Sequence, residues 1–277
     1  MSEKKRRENT SVVINQDERK LFMGRTIAIA NQKGGVGKTT TSINLSASLA
    51  AKGKKVLVID IDPQGNTTSG FGINKNELEN TVYEVLLGEC AIQDCILKEV
   101  LPNLSILPTN VNLAAAEIEL IDTDRKEFIL KKEVDWIKKQ YDFIIIDCPP
   151  SLSMLTVNAM TTADSVLVPI QCEYYALEGL SQLIHTVNLV KERLNPDLFM
   201  EGVLFTMYDS RTNLSLQVVE NVKNNLKENV YTTIIPRNIR LAEAPSYGQP
   251  INVYDPKSAG SEAYMALADE VINRKDV

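Results

Sequence analysis

The stretch "NQKGGVGKTTTSINL", residues 31–45, follows an apolar run, "TIAIAN" (26–31), and opens a segment with helical character. A strand, a glycine-rich turn and then a helix is the context in which phosphate-binding loops occur. Glycines let successive backbone N–H groups face an anion, and the start of the helix adds its dipole. The sequence therefore predicts a nucleotide phosphate site made of consecutive residues: Gly34, Gly35, Val36, Gly37, Lys38, Thr39 and Thr40.

Two lysines of this stretch have different expected roles. Lys38 is placed for the β and γ phosphates, and the Thr39 hydroxyl for Mg²⁺. The usual phosphate-loop pattern begins with glycine, where this chain has Gln32. Lys33 is not needed for phosphates that one lysine and the backbone already hold, because neighbouring ammonium groups repel each other. Its presence indicates that more negative charge is brought to the loop.

Carboxylates end two further apolar runs. "VLVIDIDPQGN" (56–66) contains Asp60 and Asp62, and "FIIIDCPPS" (143–151) contains Asp147. Asp147 follows four apolar residues and suits a Mg²⁺ ligand, direct or through water. Each aspartate alone is consistent with a helix cap or turn. Together with the loop, they predict a metal-assisted nucleotide site.

The fold class follows from alternating strand and helix patterns. The predicted strands are apolar on both faces, as in a parallel sheet covered by helices. They are 26–31, 55–60, 104–107, 141–147, 165–170, 202–207 and 231–235. The predicted helices are 38–52, 125–140, 152–162, 176–194, 213–229 and 259–274. The pattern predicts one α/β domain over 26–277, with a doubly wound, mostly parallel sheet flanked by helices.

Composition narrows the class of protein further. Residues 1–25 hold seven Lys/Arg against four Asp/Glu and predict a disordered, mildly basic tail, with Met23 an alternative translation start to Met1. No apolar run approaches a membrane span, and a cytoplasmic protein is expected. The net charge of −6 argues against a uniformly basic surface. The four cysteines form no CxxC pair and are expected to be buried free thiols.

Several motifs in order resemble one family. They are "KGGVGKTTT" (33–41), "DIDPQGN" (60–66), "IIIDCPPSL" (144–152), "PIQCEYYALEGL" (169–180), "TMYDSRTNLS" (206–215) and "IIPRNIRLAEAPSYGQPI" (234–251). The sequence resembles the ParA/Soj chromosome-partitioning ATPases of the deviant Walker A class of P-loop NTPases, which also contains the MinD ATPases and nitrogenase iron protein. The resemblance runs from about Thr26 to the C-terminus and implies ATP and Mg²⁺ as cofactors.

The resemblance implies roles at the nucleotide. Lys33 would reach the phosphates of the other subunit in an ATP-dependent homodimer. Asp62 would position the attacking water, with Asp60 near the metal, and slow basal turnover is expected because aspartate is a weak base at pH 7. Pro236, Asn238 and Met207 would contact the adenine, although Pro236 alone also fits a strand terminator.

The resemblance also implies partners. Arg211 and Arg240 would bind duplex DNA without sequence preference, with Lys223, Lys227 and Lys257 as further candidates. A ParB-type centromere-binding protein would stimulate hydrolysis, and the protein would be nucleoid-associated. Without the family, Arg211 is a surface charge before a helix. Four residues of "EYYALEG", namely Glu173, Tyr174, Tyr175 and Glu178, are candidates for the dimer interface, with core packing equally expected for the tyrosines.

Other classes fit less well. A MinD-like ATPase acting on a membrane or protein cargo needs a basic amphipathic C-terminal helix for the membrane, but "SEAYMALADEVINRKDV" carries four acidic and two basic residues. An iron protein needs cysteines that ligate its cluster, including one several residues after the aspartate. In this chain Cys148 directly follows Asp147 and does not meet that requirement. About 25 polar residues are too few for an N-terminal helix-turn-helix, and no lid of a small-molecule kinase is recognisable.

Overall fold

The computed structural model describes residues 24–173, 176–226 and 229–274, without the side chains of 176–178. Apolar, largely β-branched runs form the inner strands. The strands are β1 (Arg25–Ile29), β2 (Val56–Asp60), β3 (Leu97–Leu101), β4 (Leu104–Leu107), β5 (Phe143–Asp147), β6 (Ser165–Gln171), β7 (Phe199–Tyr208) and β8 (Val230–Pro236). They form one eight-stranded sheet of order β3-β4-β2-β5-β1-β6-β7-β8.

All strand pairs are parallel except β3 with β4. The predicted doubly wound, mostly parallel sheet is therefore confirmed. Because parallel strands share a direction, the carboxyl ends of β1, β2, β5, β6, β7 and β8 lie at one edge of the sheet. Asp60 and Asp147 are direct neighbours in the β2/β5 register. The topology thus gathers distant parts of the chain at this edge.

Helices cover both faces. They are α1 (Lys38–Ala51), α2 (Asn66–Gly70), α3 (Val82–Leu87), α4 (Ile92–Cys95), α5 (Leu113–Glu119), α6 (Ile129–Ile137), α7 (Met154–Thr162), α8 (Ala176–Arg193), α9 (Asn213–Leu226), α10 (Ile239–Glu243), α11 (Ile251–Tyr254) and α12 (Ala259–Asn273). Four single 3₁₀ turns complete the described elements: Lys75–Glu77, Lys126–Phe128, Lys138–Gln140 and Ala244–Tyr247.

Alternation along the strands divides the core into two layers. In β1, Ile27 and Ile29 face the layer of α1 and α12, whereas Ala28 faces the layer of α3 and α6 to α9. This follows from the two-residue period of a strand, with both faces covered. α12 buries Tyr264 and Leu267 against α1 and β8, as expected for a C-terminal helix packed on the domain.

Differences from the predicted elements occur mainly at edges. β3, "LKEVL", was not predicted, because it is an exposed antiparallel edge strand with charged residues and lacks an apolar run. The predicted helix 125–140 consists of α6 between two 3₁₀ turns. β1 begins at Arg25, inside the predicted tail, and the Arg25 side chain donates to the Val271 carbonyl at 3.0 Å. Residues 1–23 of the predicted tail lie outside the described residues.

Two expectations about composition can be compared with the structure. In the described part of the chain, no helix is long and apolar enough to cross a membrane. All four cysteines are free, as predicted, and three are buried, whereas Cys90 is only partly buried. Burial raises the pKa of Cys172 to about 11 and also raises that of Cys148, so both are thiols at neutral pH.

Candidate functional site

The glycine-rich loop lies between β1 and α1. Gly37 is the residue before α1 and has φ of +88°, a left-handed conformation that a side chain would strain. The loop is anchored from β7, because the Thr206 hydroxyl lies 2.8 Å from the Val36 carbonyl oxygen. A Cβ at Gly34 or Gly35 would meet open space. The loop therefore presents an uncovered backbone beside the start of a helix, which suits an anion.

The two lysines of the loop occupy different environments. Lys38 is buried, with Nζ 3.2 Å from the Lys33 carbonyl oxygen. Burial lowers the Lys38 pKa, and the Asp147 carboxylate opposes that shift. Lys33 instead directs Nζ to Glu173 Oε2, 2.8 Å away at the end of β6, and both side chains are partly exposed. Lys38 is fixed by the fold, whereas Lys33 is held by one surface ion pair.

Asp147, at the end of β5, is surrounded by hydroxyl donors. Its Oδ2 accepts from Thr39 Oγ1 at 2.9 Å and from Thr67 Oγ1 at 2.7 Å, and its Oδ1 accepts from Ser42 Oγ at 2.8 Å. The carboxylate is fully buried. Burial raises the Asp147 pKa, and these three hydrogen bonds partly offset the shift. Thr39 and Asp147, predicted from separate motifs, are thus in direct contact.

Asp60, at the end of β2, is equally buried. Its Oδ2 accepts from the Thr68 N–H at 2.8 Å and from Thr68 Oγ1 at 2.7 Å. Burial raises the Asp60 pKa, and the Asp147 carboxylate raises it further. Two buried carboxylates on adjacent strands repel each other, which makes a bound cation favourable here.

A metal ion at this edge would need ligands from outside the protein. The described residues contain no group of three or more His, Cys, Asp or Glu that could hold a metal ion. Mg²⁺ usually keeps several waters and binds through one or two carboxylates together with substrate phosphates. The arrangement of Asp147, Asp60 and the Thr39 hydroxyl beside the anion loop fits that mode and not an all-protein cage.

Asp62 lies two residues beyond β2 and is 6% exposed. Its Oδ1 accepts the Gln64 N–H at 3.0 Å, and its own N–H donates to Asp60 Oδ1 at 3.3 Å. Burial sets the direction of the pKa shifts of Lys38 and Asp147, and the Asp62 charge makes a smaller contribution to both, as expected if Asp62 lies near them. Oδ2 accepts no hydrogen bond from the described residues. One oxygen is therefore fixed and the other is available to water.

A cavity of about 460 Å³ opens beside the loop. Three residues predicted to contact adenine, Met207, Pro236 and Asn238, line it together with Gly37 and Thr40 of the loop. The Asn238 side chain caps α10 by accepting the Arg240 N–H at 2.8 Å. The other lining residues are Thr206, Ile235, Arg237, Ile239, Leu241, Ala242 and Tyr264. The size and mainly apolar wall suit a planar base.

The two predicted DNA-binding arginines are exposed and paired with acids. Arg211 is bound through Nε to Asp209 Oδ1 at 2.8 Å and through Nη2 to Oδ2 at 2.6 Å. This pairing lowers the Asp209 pKa. Arg240 pairs with Glu243 at 2.9 Å and lies 3.4 Å from Asp255. Each arginine could reach a phosphate only in competition with a carboxylate.

Comparison with known proteins identifies the family. The AAA domain model matches residues 24–200. The sporulation initiation inhibitor protein Soj of Bacillus subtilis is 58% identical over 90% of this chain and 98% of its own length. The chromosome partitioning protein ParA of Myxococcus xanthus is 54% identical over 91% of this chain and 89% of its own length. The chain belongs to the ParA/Soj family.

A solved structure extends the comparison to three dimensions. Cobyrinic acid a,c-diamide synthase of Mycobacterium smegmatis, with bound ATP analog and magnesium, has a TM-score of 0.80 and 38% identity. The match covers 90% of this chain and 94% of that one. This match shows that the two chains share a fold, whereas membership of the ParA/Soj family is shown by the near-complete sequence matches.

The sequence did not reveal every residue of this ParA/Soj site. The hydroxyls of Ser42, Thr67 and Thr68 hold the two buried carboxylates, and Asp209 holds Arg211. Glu173 was predicted only as a dimer-interface candidate, and its ion pair with Lys33 was not predicted. The threonines of "GNTTSG" directly after the Asp62 motif were the available signal for the first group.

Of the remaining residues predicted to bind DNA or to line a dimer interface, only two lysines have side chains that the structure describes. Lys223 and Lys257 are exposed. Tyr174, Tyr175, Lys227 and the Glu178 side chain lie outside the described residues.

Proposed function

We propose that this protein is an ATP-dependent chromosome-partitioning ATPase whose ATP-bound homodimer binds DNA nonspecifically. The observation that carries the proposal is the meeting of Lys38, Asp147 and the base-sized cavity at one edge of the sheet. ATP and Mg²⁺ as cofactors are supported by the ATP analog and magnesium bound to the M. smegmatis neighbour.

The nucleotide site has a separate element for each part of ATP. Met207 and Pro236 contact the adenine from the ends of β7 and β8, and the free amide protons of Asn238 are available to a ring nitrogen. The loop backbone from Gly34 to Thr40 and the Lys38 ammonium hold the phosphates. Mg²⁺, when bound, neutralises charge on the phosphates. Thr39, Asp60 and Asp147 would hold the ion, directly or through water.

Asp62 orients the attacking water. Its Oδ1 is fixed by the Gln64 N–H, which leaves Oδ2 to accept a hydrogen bond from water. An aspartate is too weak a base at pH 7 for full proton abstraction, so orientation is its main contribution. Slow basal turnover follows, since few groups in one subunit stabilise the charge that develops on the transferred phosphoryl group.

Lys33 supplies the missing charge from the second subunit, as an arginine finger does in trans. Its ammonium must leave Glu173 to cross the dimer interface. The exchange is favoured while the terminal phosphate is present, because that group carries more charge than one carboxylate. ATP is then both the substrate and the ligand that joins the subunits.

DNA binding is assigned to Arg211 and Arg240. Two arginines from each of two subunits neutralise about four phosphates, which gives a salt slope of about −3.6 at ~0.9 per contact. Such contacts depend little on base sequence. A ParB-type partner stimulates hydrolysis, which releases the DNA. Because the protein binds chromosomal DNA, it is expected in the cytoplasm, on the nucleoid.

The alternative is a MinD-like ATPase for a membrane or protein cargo. The last described helix, α12, does not support this alternative, because its apolar residues pack against α1 and β8. Binding of the ATP-loaded protein to anionic vesicles but not to DNA would favour this alternative.

Light scattering with two variants tests the dimer. Asp62→Ala should bind ATP and remain dimeric without hydrolysing it, whereas Lys33→Ala should bind ATP and remain monomeric. A nucleotide-bound dimer of Lys33→Ala would contradict the role in trans. Fluorescent-nucleotide binding confirms that both variants are loaded.

A further inference from the structure

Lys75 lies outside every motif discussed above, yet its side chain reaches the loop that carries Asp62. Lys75 Nζ donates a hydrogen bond to the Gln64 carbonyl oxygen. The N–H of the same residue, Gln64, is the group that fixes Asp62 Oδ1 at 3.0 Å. Gln64 is thus held on one side by the ammonium and itself holds the carboxylate on the other.

The stem of Lys75 also covers the turn. Gly65 has φ of +62°, and a Cβ there would lie 2.9 Å from Lys75 Cδ, so the lysine packs on the bare Cα. The Gly65 N–H donates to the Asp62 carbonyl oxygen at 2.8 Å. Gly65 also precedes α2, which supplies Thr67 to Asp147. One side chain therefore packs over the junction between the Asp62 loop and the helix that supports the metal-side carboxylate.

Lys75 is itself placed by local structure. It begins the 3₁₀ turn Lys75–Glu77, whose preceding residue, Asn74, accepts the Asn76 N–H and donates to Glu77 Oε1 at 2.6 Å. The turn fixes the backbone from which the lysine extends. Gln64 is exposed, so without Lys75 its carbonyl would be solvated and the loop would be held only by its own short-range bonds.

We propose that Lys75 is a positioning residue for ATP hydrolysis: it holds the 62–65 turn so that Asp62 keeps the orientation needed for water. The proposal rests on the proposed role of Asp62. It assigns Lys75 no contact with nucleotide and none with the second subunit. Loss of the lysine should therefore lower the rate of the chemical step and leave nucleotide binding unchanged.

The test is steady-state ATPase kinetics of Lys75→Met in the full chain, with Lys75→Arg as rescue. We expect kcat to fall about three- to tenfold, up to about 1.4 kcal/mol of barrier, with KM changed less than twofold. Lys75→Arg, which keeps a cation and a donor, should recover most of kcat. A temperature melt of each variant separates this effect from loss of folded protein.

Lys126 provides a matched control. Its Nζ donates to the Ile121 carbonyl oxygen, the same type of contact between a half-buried lysine and a loop, on a segment that carries none of the site residues. Lys126→Met should leave kcat unchanged. Equal losses in Lys75→Met and Lys126→Met, or a normal kcat in Lys75→Met, would overturn the proposal.

The result is distinguishable from failure of the proposed function. If Asp62→Ala hydrolyses ATP normally, the role of Asp62 is wrong, and the role of Lys75 is wrong with it. If Asp62→Ala is inactive and Lys75→Met has a normal kcat, only the positioning role fails.

Discussion

The edge of the sheet that carries the nucleotide site (the nucleotide edge) and the exposed side chains of Arg211 and Arg240 (the arginine surface) use charge in opposite ways. At the nucleotide edge, Lys38, Asp60 and Asp147 are buried and held from several elements of the fold. On the arginine surface, Arg211 is 84% exposed in its side chain and is bound by Asp209, a neighbour in sequence. The first arrangement exists in one subunit before any ligand binds. On the arginine surface, by contrast, each of the two guanidinium groups is already paired with a nearby carboxylate.

This difference indicates where binding energy comes from. A buried charge cluster in a low-dielectric site interacts strongly with phosphate and needs little rearrangement. An exposed ion pair contributes little to stability, so it can be exchanged for a DNA phosphate at low cost and with little gain per contact. Useful DNA affinity would then require several contacts at once, which the proposed dimer would supply.

The largest expected effect is at the buried lysine. Lys38→Met should lower kcat/KM for ATP by about 10²- to 10³-fold, the usual loss when a preorganised donor to the transition state is removed. Measured ATPase rates with titrated Mg²⁺-ATP check this.

Lys138 is the control for burial. It is also 7% exposed but pairs with Asp164 at 2.7 Å, away from the cavity. Lys138→Met should lower the melting temperature and leave the activity of the folded fraction intact. Near-normal ATPase activity of Lys38→Met would break the contrast between the two regions.

The next largest effects are expected on DNA binding, from substitution of Arg211 and of Asp209, the carboxylate that pairs with it. Arg211→Ala should reduce the salt slope by about 1.8 in a dimer, at ~0.9 for each of two lost contacts. Asp209→Asn should instead tighten DNA binding, because it removes the carboxylate that competes for the guanidinium. Fluorescence anisotropy across a salt series measures both.

Arg193 is the matched control for the DNA series. It is an exposed arginine at the end of α8, and Arg193→Ala should leave the slope unchanged. Weaker DNA binding by Asp209→Asn would show that Asp209 aligns Arg211 for DNA and does not compete with it.

The smallest expected effect is at the second lysine of the loop. Each dimer breaks two Lys33–Glu173 pairs, so Glu173→Gln should favour the ATP dimer by about 0.4 to 2 kcal/mol, at ~0.2 to 1 per exposed pair. Sedimentation at several protein concentrations with Asp62→Ala as background measures the dimer constant. Glu173→Asp serves as the charge-preserving control. A weaker dimer in Glu173→Gln would mean that Glu173 assists the crossing.

Most of the sheet could be predicted from sequence, since buried parallel strands such as "FIIID" are continuous apolar runs. The loop and its carboxylates were also predictable, because strand ends in such a sheet converge on one edge. β3 was not, because its charged residues face solvent. The side-chain partners of Lys33 and Arg211 could not be predicted either. An ion pair depends on rotamers and on loop geometry, and neither leaves a periodic pattern.

One measurement tests the central claim that ATP switches a weak, balanced surface into a DNA-binding one. Asp62→Ala is titrated with random-sequence duplex DNA by fluorescence anisotropy over a salt series, with ATP, ADP or no nucleotide. We expect tight, strongly salt-dependent binding with ATP only, and its loss when Arg211→Glu is added. Equal binding in all three nucleotide states, or no DNA binding in any of them, would contradict it.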